Sequence, residues 1–266
     1  MHLLPYLCGK FESMKLHYRE IGEGKPFVIL HGLFGNSDNW QSHGKRLAEY
    51  FRVIMVDLRN HGHSDWSNDF SYDIMVDDLQ ELFIDLKIED AILLGHSMGG
   101  KAAMKFAQKF PNYLEKLIVV DMGIKSYPPH HQHILEAIKT LDLDAIATRS
   151  EADAHMAKFI DGVGERQFLL KNIYWIEKGK MAWRMNFIVL EREMDEILSE
   201  IPKDECFVQS LFIRGGKSRY VLDEDVAAIE EVFPDSEMVT IEDAGHWVHA
   251  EQPDLFIDSV LGFCLR

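Results

Sequence analysis

The residue in this sequence best placed to do chemistry is a serine between two glycines, in Gly95-His96-Ser97-Met98-Gly99. The aliphatic run Ala91-Ile92-Leu93-Leu94 before it reads as a buried strand. The amphipathic segment Lys101 to Phe110 after it reads as a helix. In that context Gly-x-Ser-x-Gly predicts a turn too tight for side chains at the glycines, with the serine hydroxyl thrust out at the strand end. The helix that begins there aims free amides and the positive end of its dipole at the same spot. Such a hydroxyl attacks an acyl carbon once a neighbouring base takes its proton.

The sequence holds 13 histidines, so the base must be chosen by position. His246 follows the strand-like stretch 237–245 and precedes a helix beginning at Pro253. A loop at the carboxyl end of a parallel strand opens on the same rim as the serine turn. His249, three residues on, falls on the first helical turn and is expected to face elsewhere. His96 is expected to pack beneath the turn, and His61 and His63 to order the turn in Asp57-Leu58-Arg59-Asn60-His61-Gly62-His63-Ser64. Acyl transfer also needs two amide donors for the developing oxyanion. Met98 supplies one by its position after the serine. The loop Ile29-Leu30-His31-Gly32-Leu33-Phe34-Gly35-Asn36 should supply the other, from Leu33 first and Phe34 second.

The elements that must position these groups alternate. Short aliphatic runs at 27–30, 53–56, 91–94 and 117–120 are apolar throughout, as parallel strands buried on both faces are. Helical patterns at 73–86 and 101–110 lie between them. After Asp121 two prolines break the rhythm. From Ile134 to about Ser199 the pattern is mostly helical, apart from one possible hairpin closed by Glu177-Lys178-Gly179-Lys180. Strand patterning resumes at 210–215 and 237–245. This order predicts an α/β core formed by 1–122 and 207–266, with 123–206 inserted as a helical cap over the rim.

Bulk properties narrow the partners. The 266 residues carry 44 acidic and 28 basic side chains, a formal charge of −16, so nucleic acid and anionic membrane surfaces are not expected partners. Cys8, Cys206 and Cys264 are few and unpatterned, and read as reduced packing residues rather than disulfides or a zinc site. No cofactor or metal is expected. The first residues lack the basic and apolar pattern of a signal peptide, and no segment reaches the roughly 20 apolar residues of a membrane span. A cytoplasmic protein is expected.

Read together, His31-Gly32-Leu33-Phe34-Gly35, the 57–64 turn, Gly95 to Lys101 and Gly245-His246-Trp247-Val248-His249-Ala250-Glu251 resemble the α/β-hydrolase superfamily along nearly the whole chain. The strings "RNHGHS", "GHSMGGKAAM", "RQFLLKN" and "GHWVHAEQPD" resemble more narrowly the small bacterial YbfF-type esterases and their mitochondrial abhydrolase relatives. The resemblance implies an eight-stranded, mostly parallel sheet, the order Ser, acid, His along the chain, and cofactor-free hydrolysis of carboxylic esters or thioesters.

One position departs from the superfamily. Its acid usually follows the strand that ends here in Phe212-Ile213-Arg214-Gly215-Gly216, where this sequence has Lys217 and Ser218. Asp223, Glu224 and Asp225 lie further on and read as the opening turn of a helix. The strand Leu117-Ile118-Val119-Val120 ends in Asp121, and neighbouring strands are about 4.8 Å apart, so a histidine loop can be served from either strand end. YbfF-type esterases use this alternative strand, which puts the acid at Asp121. Lys217 and Ser218 are then expected to belong to a loop freed from that task.

The function expected is hydrolysis of short-to-medium acyl esters, or thioesters, by Ser97, His246 and Asp121, in a pocket including Phe34, Trp175, Trp183 and Trp247. Phe159, Phe168, Leu169, Tyr174 and Phe187 add apolar surface from the cap, and Arg166, Lys171, Arg184 and Lys217 are candidates to meet an anionic substrate such as an acyl-CoA. Two alternatives stay open: cleavage of a carbon–carbon bond or a lyase step with the same residues, and a binding protein that keeps the fold without catalysis.

Overall fold

The computed structural model describes residues 14–266. Cys8 and the stretch read as lacking a signal peptide lie outside the described residues. The strands are β1 (Tyr18–Ile21), β2 (Pro26–Leu30), β3 (Arg52–Val56), β4 (Ala91–His96), β5 (Leu114–Val120), β6 (Ile173–Glu177), β7 (Lys180–Trp183), β8 (Gln209–Gly215) and β9 (Ser236–Ile241). The helices are α1 (Gln41–Leu47), α2 (Tyr72–Asp85), α3 (Met98–Lys109), α4 (Gln132–Lys139), α5 (Arg149–Met156), α6 (Val163–Leu170), α7 (Phe187–Arg192), α8 (Met194–Leu198), α9 (Asp223–Val232), α10 (Val248–Glu251) and α11 (Pro253–Cys264). None of the described helices is long and apolar enough to cross a membrane.

Seven strands form the main sheet, in the order β1-β3-β2-β4-β5-β8-β9, all parallel except β1. Among the described residues this is one strand fewer than the eight expected. The remaining two, β6 and β7, pair with each other around the expected turn, where Gly179 takes φ +84°. Ile173, Met181 and Trp183 turn the inner side of that hairpin onto the core, while Trp175, Ile176 and the charged turn stay exposed, so it forms a separate two-stranded sheet.

The continuous apolarity of the central strands follows from what covers them. Val28, Leu93, Val119 and Phe212 pack toward α2, α3 and α9, while Ile29, Leu94, Val120 and Ile213 pack toward α1 and α11. Side chains alternate across a strand, so burial on both faces requires an apolar residue at every position. β1 escaped the sequence reading because "YREI" is a short, half-exposed edge strand with two charges.

Between β5 and β8 lie five helices and the hairpin. Ile134, Ala137, Met156, Leu169, Leu190 and Ile197 from this segment join the apolar cluster formed by α2 and α3. Lys101 ties its two ends to α3. The buried ammonium donates to the carbonyls of Lys125 and Leu198 at 3.0 and 3.3 Å, and to that of Ser199. Burial pushes its pKa down to about 8, although Glu196 and Glu200 pull it upward. A lysine in the unfolded chain keeps its proton up to about 10.4. Between about 8 and that value the unfolded state therefore binds more protons, and stability rises with pH. Urea midpoints compared near pH 8 and pH 10 should show that rise in wild type, with the Lys101 share missing in Lys101→Met.

Candidate active site

Ser97 sits where β4 turns into α3, with φ +53° and ψ −120°. A non-glycine residue held there costs on the order of 1–3 kcal/mol, so the surroundings must enforce it. A Cβ on Gly95 would lie 2.2 Å from the Gly99 oxygen, and one on Gly99 would lie 2.5 Å from the His31 oxygen. The Ser97 amide donates to Val120 O at 3.1 Å, and its carbonyl accepts from Gly100 and Lys101. The two glycines let the turn close against the β2 loop, and the turn sets the hydroxyl on the rim.

His246 reaches that rim from the loop after β9. Its Nε2 lies 3.1 Å from Ser97 Oγ, and its Nδ1 lies 2.8 Å from Asp121 Oδ2. Asp121 stands directly beyond β5 with φ +47° and a fully buried side chain. The register aligns His96 with Val120 and Val120 with Ile213, so the ends of β4, β5 and β8 lie side by side. The expected Ser97, Asp121 and His246 are therefore joined in one hydrogen-bonded chain. Of the rival acids, Asp223 bonds Arg214, Asp225 bonds Lys125 and the Leu222 amide, and Glu224 is exposed on the first turn of α9.

The loop after β8 corrects one expectation. Ser218 is not freed from the site, because its hydroxyl donates to Asp121 Oδ2 while Gly215 N donates to Oδ1 at 3.0 Å. A carboxylate buried this completely needs such donors. Lys217 does point away, with Nζ 3.0 Å from the exposed Asp243 carboxylate.

Beneath His246 lies a layer of neutral imidazoles. His96 donates from Nε2 to the His246 carbonyl at 3.0 Å, His249 stacks on Trp40 at 4.2 Å, and His43 donates to the His249 carbonyl at 2.8 Å. Burial, reinforced by the neighbouring histidines, holds His96 and His249 well below the ordinary imidazole value. Both remain neutral packing groups.

The β2 loop separates the two candidate oxyanion donors. The Phe34 amide donates to His61 Nε2 at 3.2 Å, and His61 is itself fixed by Nδ1 on the Arg59 carbonyl at 2.8 Å. Burial pushes His61 down to about 3, so it stays a neutral acceptor. The amides of Leu33 and Met98 make no hydrogen bond among the described residues. Asn172, buried just beyond α6 in the "RQFLLKN" string, donates to the Phe34 carbonyl at 2.6 Å and holds this loop from the other side. Sequence reading used the string only as a mark of resemblance, and missed that role.

A cavity of about 220 Å³ opens over Ser97 and His246. Leu33, Phe34, Ile134, Phe168, Leu169 and Trp247 form its apolar wall. His130, His131, His133, Glu165 and Tyr220 form a polar one. Phe34 and Trp247 are thus where the sequence put them, but Trp175 and Trp183 do not line the cavity. Both belong to the β6–β7 hairpin, where Trp175 is 45% exposed and Trp183 packs on the core. None of the four proposed cationic contacts lines it either. Arg166 is buried on Asp153 and the carbonyls of Ile160 and Asp161, Arg184 meets His63 and the Tyr174 ring, and Lys171 is exposed.

One further cluster, His17, Asp57 and His63, has its potential ligand atoms within 4.8 Å of one another. Arg184 donates to His63 Nε2, which leaves the proton on Nδ1 facing Asp57, and the Ser37 and His63 amides also donate to that carboxylate. The cluster closes the 57–64 turn as a hydrogen-bonded ring, away from the cavity-lining residues.

A sequence model for the alpha/beta hydrolase fold matches residues 25–155, and the chain belongs to the α/β-hydrolase family. It is 37% identical over 245 residues to sn-1-specific diacylglycerol lipase ABHD11 of Mus musculus, covering 89% of this chain and 80% of that protein. Esterase YbfF of Escherichia coli K12 is 34% identical over 238 residues, covering 88% and 91% of the two chains. Among solved structures, one described as a marine microorganism esterase superposes with a TM-score of 0.91 at 41% identity, covering 94% of this chain and all of its own.

Proposed function

We propose that the protein is a serine esterase acting on short-to-medium acyl esters of uncharged alcohols through an acyl-enzyme. The observation that carries this reading is the hydrogen-bonded chain from Ser97 through His246 to Asp121, opening on a cavity beside two free amides. The names of the mouse, bacterial and marine relatives point to the same chemistry.

In this reading Ser97 Oγ attacks the carbonyl carbon as His246 Nε2 takes its proton. The Leu33 and Met98 amides hold the oxyanion. His246 returns the proton to the departing alcohol, and a water then reverses the steps to release the acid. Asp121 keeps the proton on Nδ1 and stabilises the imidazolium, while the Ser218 hydroxyl and the Gly215 amide hold its carboxylate in place. The segment 123–206 acts as a cap that supplies the acyl wall.

Cavity size and charge argue for the substrate class. About 220 Å³ is below the usual range of roughly 300–1,000 Å³ for small-molecule pockets. The wall bears Glu165 and no lysine or arginine, which suits a neutral oxyester better than an acyl-CoA. A series of p-nitrophenyl acetate, butyrate and octanoate against the matching CoA thioesters tests this. Acetate or butyrate should give the highest kcat/KM, at least tenfold above any thioester. A thioester turned over faster than its oxyester counterpart would reverse the assignment.

A further inference from the structure

Tyr220, in the loop after β8, lies flat on the His246 imidazole, with ring centres 3.8 Å apart and planes 13° from parallel. Its own position is fixed at three points, its amide, its carbonyl and its hydroxyl. Its amide donates to Ser218 Oγ at 3.2 Å, and its carbonyl accepts from Tyr127 OH at 2.8 Å. Tyr127 OH in turn accepts from the Gly123 amide at 2.8 Å. The Tyr220 hydroxyl donates to His130 Nε2 at 2.5 Å, and His130 Nδ1 donates to the Pro128 carbonyl at 2.8 Å. One short loop therefore touches both partners of the Asp121–His246 pair, Ser218 through the carboxylate and Tyr220 through the ring.

We propose that Tyr220 is a positioning residue for His246: its ring holds the imidazole in line between Asp121 and Ser97, and its π-face favours the imidazolium formed during acyl transfer. This rests on the esterase reading above and adds to it a role that the hydrogen-bonded chain alone does not contain. An imidazole held only through its two nitrogens can still tilt about the line joining them, and a ring stacked at van der Waals distance removes that freedom. The electron-rich face of an aromatic ring also attracts a cation lying against it. Burial, and then the charge of Asp121, raises the Tyr220 phenol above its ordinary value, so the stacked ring stays neutral. The other ionisable groups around His246 are Asp121 at Nδ1, His96 and His249 beneath, and His130, His131, His133 and Glu165 around the cavity. Burial drives His131 down to about 3, so it stays neutral.

The test compares Tyr220→Phe with Tyr220→Leu and Tyr220→Met in the whole protein, using p-nitrophenyl butyrate across pH and thermal unfolding to confirm folding. Leucine and methionine keep apolar bulk but remove the π-face. Each should lower kcat about tenfold with KM nearly unchanged, and move the acid limb of kcat/KM to lower pH by about half a unit to one unit. The sign follows because removing a group that favours the protonated imidazole lets it lose its proton at lower pH. Tyr220→Phe should lower kcat only two- to threefold, with the acid limb in place. Wild-type pH profiles in both apolar variants would overturn the proposal. So would a loss in Tyr220→Phe as large as in Tyr220→Leu, which would assign the effect to the hydroxyl and His130. Ser97→Ala run alongside separates the two claims: its retaining activity would sink the esterase reading, whereas Tyr220 results at odds with expectation beside an inactive Ser97→Ala would sink only this inference.

Discussion

Ser97→Ala is expected to lower kcat for a p-nitrophenyl ester by about 100,000-fold, with KM changed little and the fold intact. The substitution removes one oxygen from a position whose backbone is fixed by the Val120, Gly100 and Lys101 contacts, so alanine can take the same conformation. His246 keeps its bond to Asp121, and the Leu33 and Met98 amides remain in place. What is left should be the weak catalysis of an oxyanion site acting on water-driven hydrolysis. A loss of less than about tenfold would mean that another group makes the bond to the acyl carbon.

Asp121→Asn carries the second large effect, a fall in kcat of about 10,000-fold. Both oxygens of Asp121 accept hydrogen bonds, Oδ1 from the Gly215 amide and Oδ2 from Ser218 and His246. A carboxamide can supply only one acceptor. With its NH2 toward Gly215, two donors collide. With its NH2 toward His246, the imidazole must give up the Nδ1 proton and present Nε2–H to Ser97, the tautomer that cannot act as base. Asp223→Asn should stay within about twofold of wild type, because that carboxylate is 92% exposed and bonds Arg214. The opposite ranking of these two variants would place the acid after β8 and not at the end of β5.

The parts of the site legible in the sequence are those with a local or topological signature. The serine turn shows in five residues and its flanks. His246 follows from its place between the last strand and the last helix, and Asp121 from being the carboxylate that ends a strand next to β8. Ser218 and Tyr220 were not legible as partners, because the backbone beyond Gly215-Gly216 has no periodicity from which side-chain direction can be read. Their only signal was negative, a missing acid, and it was read as a loop without a task. Trp175 and Trp183 were assigned to the pocket on size alone, and size does not say which face of a hairpin meets the cavity. Arg166 was read as a free charge, whereas the fold buries it against Asp153 and two carbonyls. His130, His131 and His133 fell in a stretch at the start of the cap read only as a break in the strand–helix rhythm, yet the chain there lines the cavity.

The central claim, that Ser97 is the nucleophile of a hydrolase, is tested most directly by locating a fluorophosphonate on the protein. Intact mass and peptide mapping should find one label per chain, on the peptide containing Ser97, with esterase activity falling in step with labelling and no label on Ser97→Ala. Full activity in protein that resists the probe, or a label that maps to another residue and still abolishes activity, would contradict it.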